Sequence, residues 1–164
     1  MIVRMMILAG LALVLAGCAS SKPSLDSKDA RRDVSPETVS QNLETVVDDR
    51  VMWAGVIVDA TNLQSHTQLE VLSYPLNRQS RPDLSAKPTG RFLVRHDGYL
   101  ETLDYAPGRS VTVVGRVERL ATQKIGDAEY AFPVLMDEQL RLWRETDQQS
   151  EPRVNFGFGF IFRN

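Results

Sequence analysis

From about residue 51 to residue 143 the chain alternates short apolar runs with turn-forming clusters, the rhythm of a protein built from strands. Val51-Met52-Trp53-Ala54-Gly55-Val56-Ile57-Val58 is continuously apolar and rich in β-branched residues. It predicts a strand buried on both faces or bent around a barrel wall. Gly55 in its middle predicts a bulge or sharp coil. Residues 59–65 carry turn chemistry. Residues 67–74 alternate, with Leu69 and Val71 set against Gln68 and Glu70. Residues 75–88 hold three prolines and read as a loop. Residues 90–96 predict a third strand on Phe92 and Val94. Residues 104–109 form a turn in which Pro107 and Gly108 supply the special dihedrals. Residues 110–120 alternate around Gly115. Residues 130–135 and 140–143 close the series, with Gly126-Asp127 as a hairpin turn. Five or six short strands, two with internal glycines, predict an all-β fold. It is a small OB-like barrel, antiparallel and closed or partly closed, because a central glycine lets one strand coil around both halves. A flat sandwich is the rival architecture.

Ahead of the strands, Ser35-Pro36-Glu37-Thr38 has the chemistry of a helix start, serine as cap and proline in the first turn. Val39, Leu43, Val46 and Val47 follow at helical spacing. They predict a short N-terminal helix that lids the domain; a helix that docks a partner is the alternative.

The first residues follow another pattern. Arg4 is the only charge before Cys18, and residues 5–15 are all apolar or glycine. That is the layout of a secretory signal peptide. The run is shorter than the roughly 20 apolar residues a bilayer span needs. Leu15-Ala16-Gly17-Cys18 then resembles the bacterial lipobox. The resemblance implies a diacylglycerol on the Cys18 thiol, cleavage before it, and acylation of the new amino end. Cys18 is the only cysteine, so an exported chain has no disulfide to make with it. Ala19, Ser20 and Ser21 follow, where an aspartate tends to retain such proteins at the inner membrane. The expected address is the outer membrane, with the domain facing the periplasm.

The chain thus divides into a signal peptide (1–17), a lipidated N-terminus and flexible tether (18–35), a barrel domain (36–144) and a hinge with a final strand (145–164). In that last strand Phe156, Phe158, Phe160 and Phe162 alternate with small or aliphatic residues, so all four share one face. They predict a core-filling strand, or a contact with a partner strand or the membrane.

Charge adds little. The formal net charge is −2, which offers no strong field to nucleic acid. Arg91, Arg95, Arg109, Arg116 and Arg119 are scattered among acids and read as a solvated wall. Trp53, Tyr74, Phe92, Tyr130 and Phe132 read as core. His66 and His96 lack metal-ligand spacing and read as solvated loop residues. Asp59, Asp104 and Asp137 near strand ends read as turn caps, with a catalytic carboxylate pair among them as the alternative. No cofactor, metal ligand or catalytic residue is expected.

A family resemblance covers about residues 34–144. Val51-Met52-Trp53-Ala54-Gly55-Val56-Ile57, Thr61-Asn62-Leu63 and Thr67-Gln68-Leu69-Glu70-Val71-Leu72-Ser73-Tyr74-Pro75-Leu76 resemble the opening strands of the Slp family. These are starvation-inducible outer-membrane lipoproteins of proteobacteria. Gly90-Arg91-Phe92-Leu93, Asp104-Tyr105-Ala106-Pro107-Gly108-Arg109, Val111-Thr112-Val113-Val114-Gly115 and Leu142-Trp143 continue the match in order. The resemblance implies a non-enzymatic envelope lipoprotein linked to stress or starvation. A protein partner or envelope ligand is expected for its barrel. The rival reading is an envelope enzyme acting on lipid or glycan through carboxylates.

Overall fold

The computed structural model describes residues 25–144. In chain order they form a helix α1 (Pro36–Gln41), a 3-10 turn (Leu43–Thr45) and five strands. The strands are β1 (Arg50–Asn62), β2 (His66–Tyr74), β3 (Arg91–Asp97), β4 (Ser110–Ile125) and β5 (Ala128–Leu142). They close into a barrel in the order β1-β2-β3-β5-β4. The all-β, OB-like reading is the fold observed. One detail is corrected. The β3–β5 pair is parallel, with Leu93 opposite Val134. A ring of five strands cannot alternate direction all the way round, so one pair must run the same way.

β1 makes closure work. Its first half pairs with β4 over residues 50–56, and its second half pairs with β2 over residues 54–62. The bulge expected at Gly55 falls three residues later, where the register shifts between Ile57 and Asp59. Residues 59–62, read as turn, prolong β1, and the turn shrinks to residues 63–65. Asp59 and Thr61 are exposed while Ala60 and Asn62 are half-buried, so the polar residues are one face of a strand. β5 likewise runs through the polar stretch that had divided it into two.

Trp53, Ile57, Val71, Phe92, Val113 and Leu135 fill the barrel, and Trp53 meets Phe92 edge-to-face at 5.1 Å. Side chains thus occupy the interior as a packed core. Val39 of α1 and Val46 plug one end, and Leu100 and Tyr105 pack at the core from the loop after β3. The helix starts as predicted, with Ser35 Oγ accepting from Thr38 N at 3.2 Å and Pro36 in the first turn. It ends at Gln41, so Val47, on the predicted stripe, is left exposed. Gly90 sits at φ 110°, and a Cβ there would press on the Glu37 backbone of α1. The lid docks on that bare glycine, where Glu37 N donates to Thr89 O at 3.1 Å.

β1 is buried on both faces, as its apolar run predicts. Trp53 faces the core, while Met52 and Ala54 are buried behind it. The loop of residues 75–89 folds over β4 on that outer side, where Thr112 Oγ1 donates to Ser80 O at 2.6 Å.

Candidate functional site

The stretch that leads from Cys18 is the first candidate. Cys18 itself lies outside the described residues, as do Phe156, Phe158, Phe160 and Phe162. From residue 25 the chain is not free, which corrects the reading of residues 18–35 as tether throughout. Arg31 pairs with the edge of β1: its N–H donates to Arg50 O at 2.8 Å, and its carbonyl accepts from Met52 N at 2.9 Å. Trp53 Nε1 donates to Val34 O at 2.8 Å, and Asp26 N donates to Gln139 Oε1 at 2.9 Å. This strap covers the part of β1 that β2 does not reach, blunting an otherwise open strand edge. Between strap and barrel lies a cleft of about 310 Å³, lined by Arg32, Val34, Pro36, Trp53, Tyr74 and Leu76 among others.

The titratable groups form a second candidate. His96 is not a loop residue. It lies in β3, and its Nδ1 shares a hydrogen bond of 2.7 Å with Asp137 Oδ2. Asp137 is not a turn cap either. It stands within β5, where the register against β4 shifts at Gly115, and its side chain is only 5% exposed. Burial pushes its carboxyl above the ordinary carboxylate range, and the bond from His96 pulls it part of the way back. Burial also raises the Tyr105 phenol, with Asp104 and Asp137 adding to the shift. Asp59 accepts instead from Thr61 Oγ1 at 2.8 Å, and Asp104 is exposed on the loop after β3. No hydrogen bond joins any two of these three carboxylates. His66 opens β2 beside Ser65. Among the described residues no three of His, Cys, Asp and Glu gather as a metal site. The His96–Asp137 pair can hold and share a proton, but among the described residues no hydroxyl or thiol nucleophile is bonded to it.

Sequence reasoning missed two features. Trp143 is buried at the end of β5, with Arg141 and Arg81 guanidinium carbons 4.0 and 4.4 Å from its ring centre. Its Nε1 donates to Thr112 Oγ1 at 2.9 Å, and its N–H to Ser110 O at 2.9 Å. The chain thus enters residues 145–164 from a pinned aromatic anchor. Second, Leu63, Tyr99 and Leu103 are exposed large apolar residues. The sequence signal was slight: Tyr99 follows Asp97-Gly98, a dipeptide that favours a turn. Of the aromatics read as core, Trp53, Phe92 and Phe132 are buried, while Tyr130 is 48% exposed and stacks on Phe132. Three of the five wall arginines meet acids, Arg91 with Glu70, Arg95 with Glu118 and Arg116 with Glu138, while Arg109 donates to Trp143 O at 3.3 Å.

A closed five-stranded barrel, strapped at its N-terminus and plugged by a short helix, defines a class of small all-β domain. Within that class the chain belongs to the outer membrane lipoprotein Slp family, whose sequence model matches residues 15–161. The match begins before Cys18 and runs into the Phe/Gly segment, so the shared sequence extends well past residue 144. The chain is 30% identical to the lipoprotein YeaY of Escherichia coli (strain K12) over 147 residues, 89% of this chain and 76% of the relative. It is 30% identical to an uncharacterized protein of Haemophilus influenzae, over 79% of this chain and 70% of that one. It is 23% identical to the outer membrane protein Slp of Escherichia coli (strain K12), over 93% of this chain and 82% of that one. No solved structure matches it significantly.

Proposed function

We propose that the protein is an outer-membrane lipoprotein held by lipid on Cys18, its barrel on the periplasmic side. It serves as a non-enzymatic envelope component in stress or starvation, binding a protein partner or envelope ligand. The observation that carries this reading is Leu15-Ala16-Gly17-Cys18 after a short apolar run, inside the span that matches the family. A single acyl chain holds a protein only marginally, while two or more anchor it stably. The strap gives the anchor a mechanical consequence, since whatever holds Cys18 holds the barrel through a short link. The alternating phenylalanines of residues 156–162 are the proposed partner contact. The carboxylate-based enzymatic reading gains no support from a barrel whose candidate carboxylates are partnered separately.

The test is cross-linking in intact envelopes, comparing the full chain with one lacking residues 156–162. The truncated protein should keep the barrel's circular dichroism and lose at least one cross-linked partner. If it keeps every cross-link, the tail is not the contact.

A further inference from the structure

The described residues leave six large apolar side chains exposed, and three of them share one end of the barrel. Leu63 (48% exposed) stands in the β1–β2 turn, and Tyr99 (70%) and Leu103 (82%) stand in the β3–β4 loop. The remaining three, Val47, Leu84 and Tyr130, lie on separate elements. The two loops are locked together. Asn62 Nδ2 donates to Leu100 O at 3.2 Å, Thr67 Oγ1 to Gly98 O at 3.0 Å, and Leu100 N to Thr67 Oγ1 at 2.9 Å. The long loop also sorts its apolar residues: Leu100 and Tyr105 pack on the core, while Tyr99 and Leu103 are turned out. A fixed loop that holds a tyrosine and a leucine in water presents a contact surface.

We propose that this end of the barrel rests on a lipid surface, with Leu63, Tyr99 and Leu103 at headgroup level. The inference rests on the reading that Cys18 carries lipid. Asp26 is fixed to Gln139 on β5, and seven residues lie between it and Cys18. The eight Cα steps between them span at most roughly 28 Å, about the size of the domain itself. The bilayer is therefore an apolar surface held permanently within reach, at the high effective concentration of a short link. Tyrosine with neighbouring leucines suits the membrane–water interface, where an amphipathic ring sits half in and half out. Exposed Glu101 and Asp104 flank Leu103, so the headgroups that fit are zwitterionic; anionic ones repel these carboxylates.

The test uses the full lipidated chain reconstituted into vesicles of phosphatidylcholine and phosphatidylethanolamine. An environment-sensitive fluorophore is placed on L103C, the native thiol being blocked by lipid. K124C, on the exposed β4–β5 hairpin at the opposite end, is the control. The probe at position 103 should be blue-shifted and quenched several-fold more by brominated lipid than the probe at 124. Adding Y99S and L63S should reduce that difference, and phosphatidylglycerol should not increase it. If the protein stays on the vesicles while both probes report water, the lipid contact is wrong and the anchor stands. If it washes off the vesicles, the anchor reading fails and the contact with it. If position 103 is shielded but brominated lipid does not quench it, the occupant is protein, a second copy or residues 156–162, and the proposal is overturned.

Discussion

Asp137 carries a proton to a higher pH in the folded protein than in the unfolded chain, because burial disfavours its charge more than His96 restores it. The sign follows from linkage. Between the ordinary carboxylate value and the raised one, the folded state binds more protons, so this contribution to stability falls as pH rises. It is fully present below the unfolded value and lost above the folded one. Asp137→Asn removes that titration. Urea melts of both proteins across this window should show wild type losing stability relative to the variant as pH rises; a constant difference would contradict the burial argument. Gly115 faces the same stretch of β5, and a Cβ there would overlap Met136 O. Gly115→Ala should therefore cost about 1–3 kcal/mol in a denaturant melt, as overpacking does elsewhere. Little of this was legible. Gly115 announced a special strand position. The His96–Asp137 bond joins residues 41 apart through barrel closure, and no local spacing encodes that.

At the scale of elements the alternation of apolar and polar residues carried most of the fold. β2 and β3 lie almost where the pattern put them, because each has one face inside and one outside. The pattern failed where outward-facing polar residues came close together. Asp59-Ala60-Thr61-Asn62 resembles a turn by composition, yet it is the second half of β1. Asp137-Glu138-Gln139 resembles a break, yet it is continuous strand. The strap was illegible for another reason: it is polar, and the β1 edge and the Arg50, Trp53 and Gln139 side chains that hold it come together only once the barrel has closed. Trp53→Phe removes the Nε1 bond to Val34 O and puts a smaller ring in the packed core beside Phe92. Denaturant unfolding should show a loss of about 2–4 kcal/mol, about 1 for the hydrogen bond and the rest for the space left by the indole. A chain beginning at residue 35 uncovers the first half of β1. It should self-associate in size-exclusion chromatography at concentrations where the full domain runs as a single smaller species.

At the scale of the molecule, the sequence carried the family and the all-β barrel, and left open how the pieces are placed. The strap turns a presumed loose leash into a short one, and the apolar loops give the barrel a preferred end. With the proposed lipid on Cys18, the two would hold the domain close to a bilayer in a defined orientation. That description depends on Cys18. Its most direct test is the mass of the N-terminal peptide of the protein purified from outer membranes. The account predicts a chain that begins at Cys18 and carries a diacylglyceryl thioether and an acylated amino end. A chain that still begins at Met1, or one with an unmodified Cys18 thiol, would contradict it.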